Sequence, residues 1–138
     1  MRRYMKTKRK TLESKLDKIF SWYIRLRDAD EFGRCACITC GKSYFWKEIH
    51  AGHFQSRSHR ATRWNEYNVN AQCCGCNTFK SGEQYRHGKA IEDKFGTGMA
   101  NKMEKLASTT KKFTIKELEA EVEYYNKQVK ELRELKGI

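Results

Sequence analysis

Four cysteines, one histidine and one asparagine carry the chemistry open to this sequence. Cys37-Ile38-Thr39-Cys40 and Cys73-Cys74-Gly75-Cys76 form two Cys-x-x-Cys pairs, and Asn77 follows the last cysteine directly. Gly52-His53 and Asn68 lie between the pairs. Four thiolates at Cys37, Cys40, Cys73 and Cys76 are the ligand set of a closed tetrahedral structural zinc, each sulfur about 2.3 Å from the ion. Such a site has no open position, so its zinc holds the chain and does not activate water. The alternatives are two disulfides, a redox dithiol, or a ligand set that includes Cys35; Cys35 and Cys74 are otherwise spare thiols. The 32 residues between Cys40 and Cys73 exceed ordinary zinc-ribbon spacing, which leaves room for an inserted function.

His53 and Asn77 suggest what that function is. A neutral imidazole can take a proton from water at cellular pH. Phosphodiester hydrolysis needs such a base together with a cation on the scissile phosphate. Asn77 offers a hard carbonyl oxygen to Mg²⁺ (or Mn²⁺), a class of ion that prefers oxygen and keeps several waters. Its place beside zinc ligand Cys76 would hold it rigidly. A lone Gly-His is otherwise more often a satisfied structural histidine; the cysteine frame with an asparagine in register raises the catalytic reading above that one.

The charge balance indicates what would be cut. Lys and Arg number 29 against 17 Asp and Glu, a formal net charge of +12. Such an excess favours a polyanion, here DNA. Arg57, Arg60 and Arg63 cluster after His53, and Lys80 and Arg86 follow Asn77; all are candidate phosphate contacts, the alternative being a solvated basic loop. Trp46 and Trp64 are candidates for stacking on unpaired bases, with Trp46 also fitted to the core beside the zinc. His59 reads as a bystander. No apolar run reaches the roughly 20 residues that span a membrane. No secretory h-region follows the N-terminal charges, so a reduced, cytoplasmic, metal-binding chain is expected.

These side chains need elements to position them. Met1–Lys10 reads as a mobile basic arm. From Thr11, a plausible N-cap, Leu12, Leu16, Ile19, Tyr23 and Leu26 mark one helical stripe ending near Asp30–Gly33. Tyr44–Trp46, His50–Phe54 and Val69–Cys73 read as short strands, with a polar loop over 55–67. A helix from Gly75 through Tyr85 would carry Asn77, Phe79 and Lys80, and another would run over Lys89–Ala107, interrupted at Gly96 and Gly98. Thr114 and Glu117 form a capping box. Ile115, Leu118, Val122, Tyr125, Val129 and Leu132 then make a seam over about two and a half heptads, fitted either to the N-terminal helix or to a second copy in a homodimer. With 38% hydrophobic residues and 138 in all, this is one domain with a small core, the kind that needs a staple.

The pattern His53 … Asn68-Val69-Asn70-Ala71-Gln72-Cys73 … Cys76-Asn77 resembles the HNH class of ββα-metal nucleases. That likeness implies His53 as general base, Asn68 as the brace that orients it, Asn77 as metal ligand, and a two-stranded ribbon and helix gripping one Mg²⁺. Phe20–Asp28, Ala51–Arg57, Thr62–Val69 and Ser81-Gly82 extend the likeness to the NinG (Rap) recombination proteins of lambda-like phages. This implies a phage DNA endonuclease acting on branched recombination intermediates such as Holliday junctions or D-loops, leaving 5′-phosphate and 3′-hydroxyl ends. One departure stands out. Many HNH enzymes carry an Asp or His second ligand just before the base, where this chain has Gly52. His50 is the nearest replacement, but residues 50 and 53 of a strand face opposite sides.

The reading is therefore an α+β fold: a zinc-stapled ββα-metal (HNH) core flanked by long N- and C-terminal α-helices. Its parts are a basic arm at 1–10, an N-terminal helix at 11–33, the core at 34–88 and a helical region at 89–138. The rivals are a non-catalytic zinc-knuckle DNA-binding protein and an HNH nuclease acting on ordinary duplex DNA.

Overall fold

A computed structural model describes all 138 residues. Its first element, helix α1, runs Arg2–Asp28. The basic segment expected to be a mobile arm is therefore the first turns of a helix. Lys and Arg are good helix formers, and no Gly or Pro interrupts residues 2–28. Arg9 also anchors this stretch by donating to the Phe113 carbonyl. Thr11 is not a cap; its hydroxyl donates to the Thr7 carbonyl one turn back, 3.0 Å away. The helix stops at an extended Ala29, and the Asp30 carboxylate caps the following turn by accepting from the Phe32 and Arg34 N–H groups, each at 2.9 Å.

Two small antiparallel pairs follow. Strands β1 (Arg34–Ala36) and β2 (Ser43–Phe45) form a ribbon that carries the first Cys-x-x-Cys at its end. Strands β3 (His50–His53) and β4 (Val69–Gln72) pair His50 with Gln72, Ala51 with Ala71, Gly52 with Asn70 and His53 with Val69. His50, Gly52, Asn70 and Gln72 thus share one face, and Ala51, His53, Val69 and Ala71 the other. The polar loop between them contains one short turn of helix, α2 (Arg60–Arg63).

The helix expected through Tyr85 is shorter than its sequence pattern. Gly75–Phe79 is a π-helical turn. The chain then passes through Ser81, Gly82 and Glu83, all with φ between 50° and 84°. The Gly82 N–H bonds back to the Cys76 carbonyl at 2.8 Å, and the Gly82 carbonyl accepts from the Gln72 amide at 2.8 Å. These bonds bend the chain away from a continuing helix. Left-handed backbone costs a non-glycine residue about 1–2 kcal/mol, so Ser81 and Glu83 are held there by their surroundings. Helices α3 (Gln84–Phe95) and α4 (Met99–Ala107) break at Gly96 and Gly98, as the sequence indicates. Helix α5 (Ile115–Lys136) begins at the expected Thr114–Glu117 capping box.

The apolar seam of α5 lies against α1 of the same chain. Leu118 and Tyr125 join Leu16, Phe20 and Ile24, and the Phe20 and Tyr125 rings meet edge to face at 4.9 Å. A second core surrounds the cysteines with Leu26, Trp46, Ile49 and Val129. Trp46 sits there as expected; Trp64 is buried too, its indole N–H donating to Asp17 at 3.0 Å, so neither ring is free to stack on a base.

A buried carboxylate fastens α1 to the strands. Asp28 accepts from Arg27 at 2.8 and 3.1 Å, from Lys94 at 2.8 Å and from the Ala71 N–H at 2.9 Å. Burial works against this charge, but the two cations outweigh it and hold the carboxyl below its ordinary range.

The third core packs Phe54, Ile91 and Met103. His87 lies beside it, fully buried, with neither ring nitrogen hydrogen-bonded. Burial, helped by nearby His53 and Lys94, lowers its pKa to about 4. The unfolded chain therefore takes up this proton near pH 6.5 and the folded chain does not until about pH 4. The neutral-histidine contribution is complete above pH ~6.5 and drains as pH falls toward 4, by about 3 kcal/mol in all. Urea unfolding of wild type and His87→Phe between pH 7 and pH 4 should show a shallower loss in the variant; parallel curves would contradict this.

A candidate metal centre and the cleft beside it

The two ribbons and the π-helical turn bring the cysteines together. All four ligand sulfurs, from Cys37, Cys40, Cys73 and Cys76, lie within 4.8 Å of one another. Cys40 and Cys73 Sγ are 3.8 Å apart, close to the roughly 3.8 Å edge of a tetrahedron with 2.3 Å metal–sulfur bonds. Backbone N–H groups point at the sulfurs: Cys73 N–H at Cys37 Sγ over 3.3 Å, and Cys76 N–H at Cys73 Sγ over 3.5 Å. Burial disfavours the Cys37 thiolate, yet N–H donation from Cys73 and the Thr39 hydroxyl overcome it and bring its pKa to about 6. These residues can hold a structural metal such as zinc. Cys35 is not among them. Its buried thiol donates to the Arg25 carbonyl at 3.1 Å, and burial pushes its pKa up to about 11. Cys74 points to solvent.

A cleft of about 540 Å³ opens beside this cluster, lined by His53, Arg57, Asn77, Asp17, Ser81 and Gln84 among others. His53 and Asn77, 24 positions apart in sequence, thus meet in one cavity. His53 ends β3, and its Nε2 sits 2.8 Å from the Arg63 carbonyl oxygen. A carbonyl only accepts, so Nε2 carries the proton and Nδ1 keeps the lone pair. Burial lowers the His53 pKa below its ordinary value, against a smaller upward pull from the Arg63 carbonyl. The ring is therefore neutral and ready to accept a proton at Nδ1.

Asn68 builds the wall that holds that histidine. Wholly buried at the start of β4, it accepts from the Gln55 N–H at 2.8 Å and donates to the Gln55 and Thr62 carbonyls, each at 3.0 Å. It staples both ends of the loop whose Arg63 carbonyl orients His53.

The arginines separate by role. Arg63 grips Asp17 at 2.6 and 3.0 Å and is largely buried. Its guanidinium is already filled by a carboxylate, and its main chain, not its charge, serves the site. Arg60 pairs with the buried Glu13 at 3.0 Å while staying half-exposed. Arg57 is the exposed one in the cleft, 3.8 Å from Asp17. Lys80 and Arg86 are exposed beyond Asn77. His59 also lines the cleft.

The family description Bacteriophage Lambda NinG protein matches residues 1–135. The chain belongs to the NinG family. Protein ninG of Escherichia phage lambda is 31% identical over 114 residues, which span 80% of this chain and 52% of that protein. The chain thus covers about half the length of that curated relative. No solved structure matches. No helix of this NinG-family chain is long and apolar enough to cross a membrane.

Two features of this NinG-family site have no signal in sequence spacing. Asn77 Nδ2 lies 3.2 Å from His50 Nδ1. At Gly52, a Cβ would fall 2.1 Å from Gln72 Oε1. The cross-strand glutamine fills the place that a side chain at 52 would need, which accounts for a glycine there. Gly52→Ala should therefore cost roughly 1–3 kcal/mol by overpacking, and adding Gln72→Ala should recover part of it, as read by urea denaturation. Cys73→Ser should abolish stoichiometric zinc in metal analysis and leave the chain unfolded by circular dichroism; a folded, metal-free variant would refute a structural role for the cluster.

Proposed function

We propose that this NinG-family chain is a metal-dependent HNH-type DNA endonuclease that hydrolyses phosphodiesters in branched recombination intermediates. The observation that supports it most is the joint placement of His53 and Asn77 in one cleft, each fixed by its own framework. β3, β4 and the helical turn after them would serve in this reading as the two strands and helix of a ββα-metal core.

In this reading the His53 Nδ1 lone pair takes a proton from water as its oxygen forms a bond to phosphorus. The bond from phosphorus to the 3′ oxygen breaks, the leaving oxygen takes a proton from solvent, and a 5′-phosphate and a 3′-hydroxyl result. Asn68 keeps the imidazole in line through the loop it closes. Asn77 lines the cleft, and its carboxamide oxygen would be a hard donor suited to Mg²⁺ or Mn²⁺. Such a cation would supply positive charge to the scissile phosphate and its leaving oxygen. Arg57 and Lys80, both exposed, bind flanking phosphates. The branched substrate comes from the family likeness; the net charge of +12 supports DNA of any shape.

A labelled four-way junction and a matched linear duplex, each incubated with Mg²⁺ or with EDTA, test the proposal. Wild type should cut the junction only with Mg²⁺, and His53→Ala should lose at least about 100-fold in rate while keeping zinc and DNA affinity. Cutting of both substrates would remove the branch preference and keep the chemistry. Binding without cutting would replace the nuclease by a zinc-knuckle DNA-binding protein.

A further inference from the structure

The same cleft makes one residue outside the proposed catalytic set matter. This step rests on the nuclease reading of Asn77. With Gly52 in place of a ligand and Gln72 filling the space above it, and with the Asp17 carboxylate of the same cleft already held by Arg63 and Trp64, the proposed cation depends on the Asn77 carboxamide. A carboxamide has two nearly isosteric ends. Turned one way it gives a cation an oxygen; turned the other way it presents an NH₂ that repels it. The site therefore depends on what fixes that amide.

His50 is placed to do so. It opens β3, opposite Gln72, on the strand face away from His53. Its Nδ1 lies 3.2 Å from Asn77 Nδ2. The amide nitrogen can only donate, so in this contact Nδ1 is the acceptor. Two consequences follow. The Nδ1 lone pair is occupied, so through this nitrogen His50 is not itself a metal ligand, although it lies nearest to the missing one. With Nδ2 tied back to β3, Asn77 Oδ1 is the end left without a protein partner.

We infer that His50 is a positioning residue that locks the Asn77 carboxamide with its oxygen available to the divalent cation. Orienting partners of this kind typically change metal affinity by about 10–100-fold when removed. Here the partner acts on the Asn77 amide, and the four cysteine sulfurs make their contacts elsewhere.

The test uses full-length, zinc-loaded protein and Mn²⁺ alone as probe, with free Mn²⁺ followed by its EPR signal. His50→Leu removes the acceptor at similar bulk. His50→Asn places a carbonyl oxygen near the position of Nδ1 and restores it. His50→Leu should weaken Mn²⁺ binding about 10-fold or more, and His50→Asn should recover most of the loss. Zinc content and melting temperature should stay as in wild type for both variants. Equal Mn²⁺ affinity in wild type and His50→Leu, with binding lost in Asn77→Ala, would overturn the positioning role and leave the metal reading standing. Equal loss in His50→Leu and His50→Asn would also overturn it, because bulk or a direct imidazole contact would then be what matters. Unchanged affinity in Asn77→Ala would remove the metal reading and the His50 role with it.

Discussion

The four-sulfur cluster is the constraint on which the rest of this structure depends. Cys37 and Cys40 close the first ribbon, Cys73 follows β4, and Cys76 lies in the helical turn. One ion held there would join the first ribbon, β4 and the helical turn within the core that surrounds them. It would also set the position of Asn77, one peptide bond away. Small domains with few buried side chains need such a staple. Here it stands beside the cleft rather than at a remote point, so the energy that folds the chain also orders the site.

Around this point the long helices act as a brace. Helix α1 supplies Glu13 and Asp17 to the arginines of the loop after His53, and Asp28 to the base of β4. Helix α5 covers its apolar stripe. The loop that holds His53 is thus fixed from one side by carboxylates and from within by Asn68. In the proposed reaction that rigidity would keep the His53 lone pair aimed without cost at the moment of attack.

Much of this was legible in the sequence because it rests on local rules. The cysteine spacing, the Thr114–Glu117 box and the short strands read over His50–Phe54 and Val69–Cys73, each within one residue of the observed β3 and β4, follow from ligand geometry, capping and short apolar alternation. What was not legible depends on partners distant in the chain. The basic segment at 1–10 reads as an arm because charge is all the sequence displays there; good helix propensity and the Arg9 contact with Phe113 make it helix. Arg63 reads as a phosphate clamp until Asp17 on α1 claims it. Trp64 reads as a stacking platform until the same aspartate and Phe113 bury it. The turn at Ser81–Glu83 was hidden because a helical pattern says nothing of the Gln72 and Cys76 bonds that bend the backbone away.

The proposed function sets two metal positions of different chemistry side by side, one closed by sulfur and one facing the cleft through Asn77. Anomalous diffraction from a crystal of zinc-loaded protein soaked in Mn²⁺ tests it directly. The account predicts a zinc peak among Cys37, Cys40, Cys73 and Cys76 and a separate Mn²⁺ peak about 2.2 Å from Asn77 Oδ1, on the side of His53. A Mn²⁺ peak away from Asn77, or none while zinc occupies the cysteines, would contradict it.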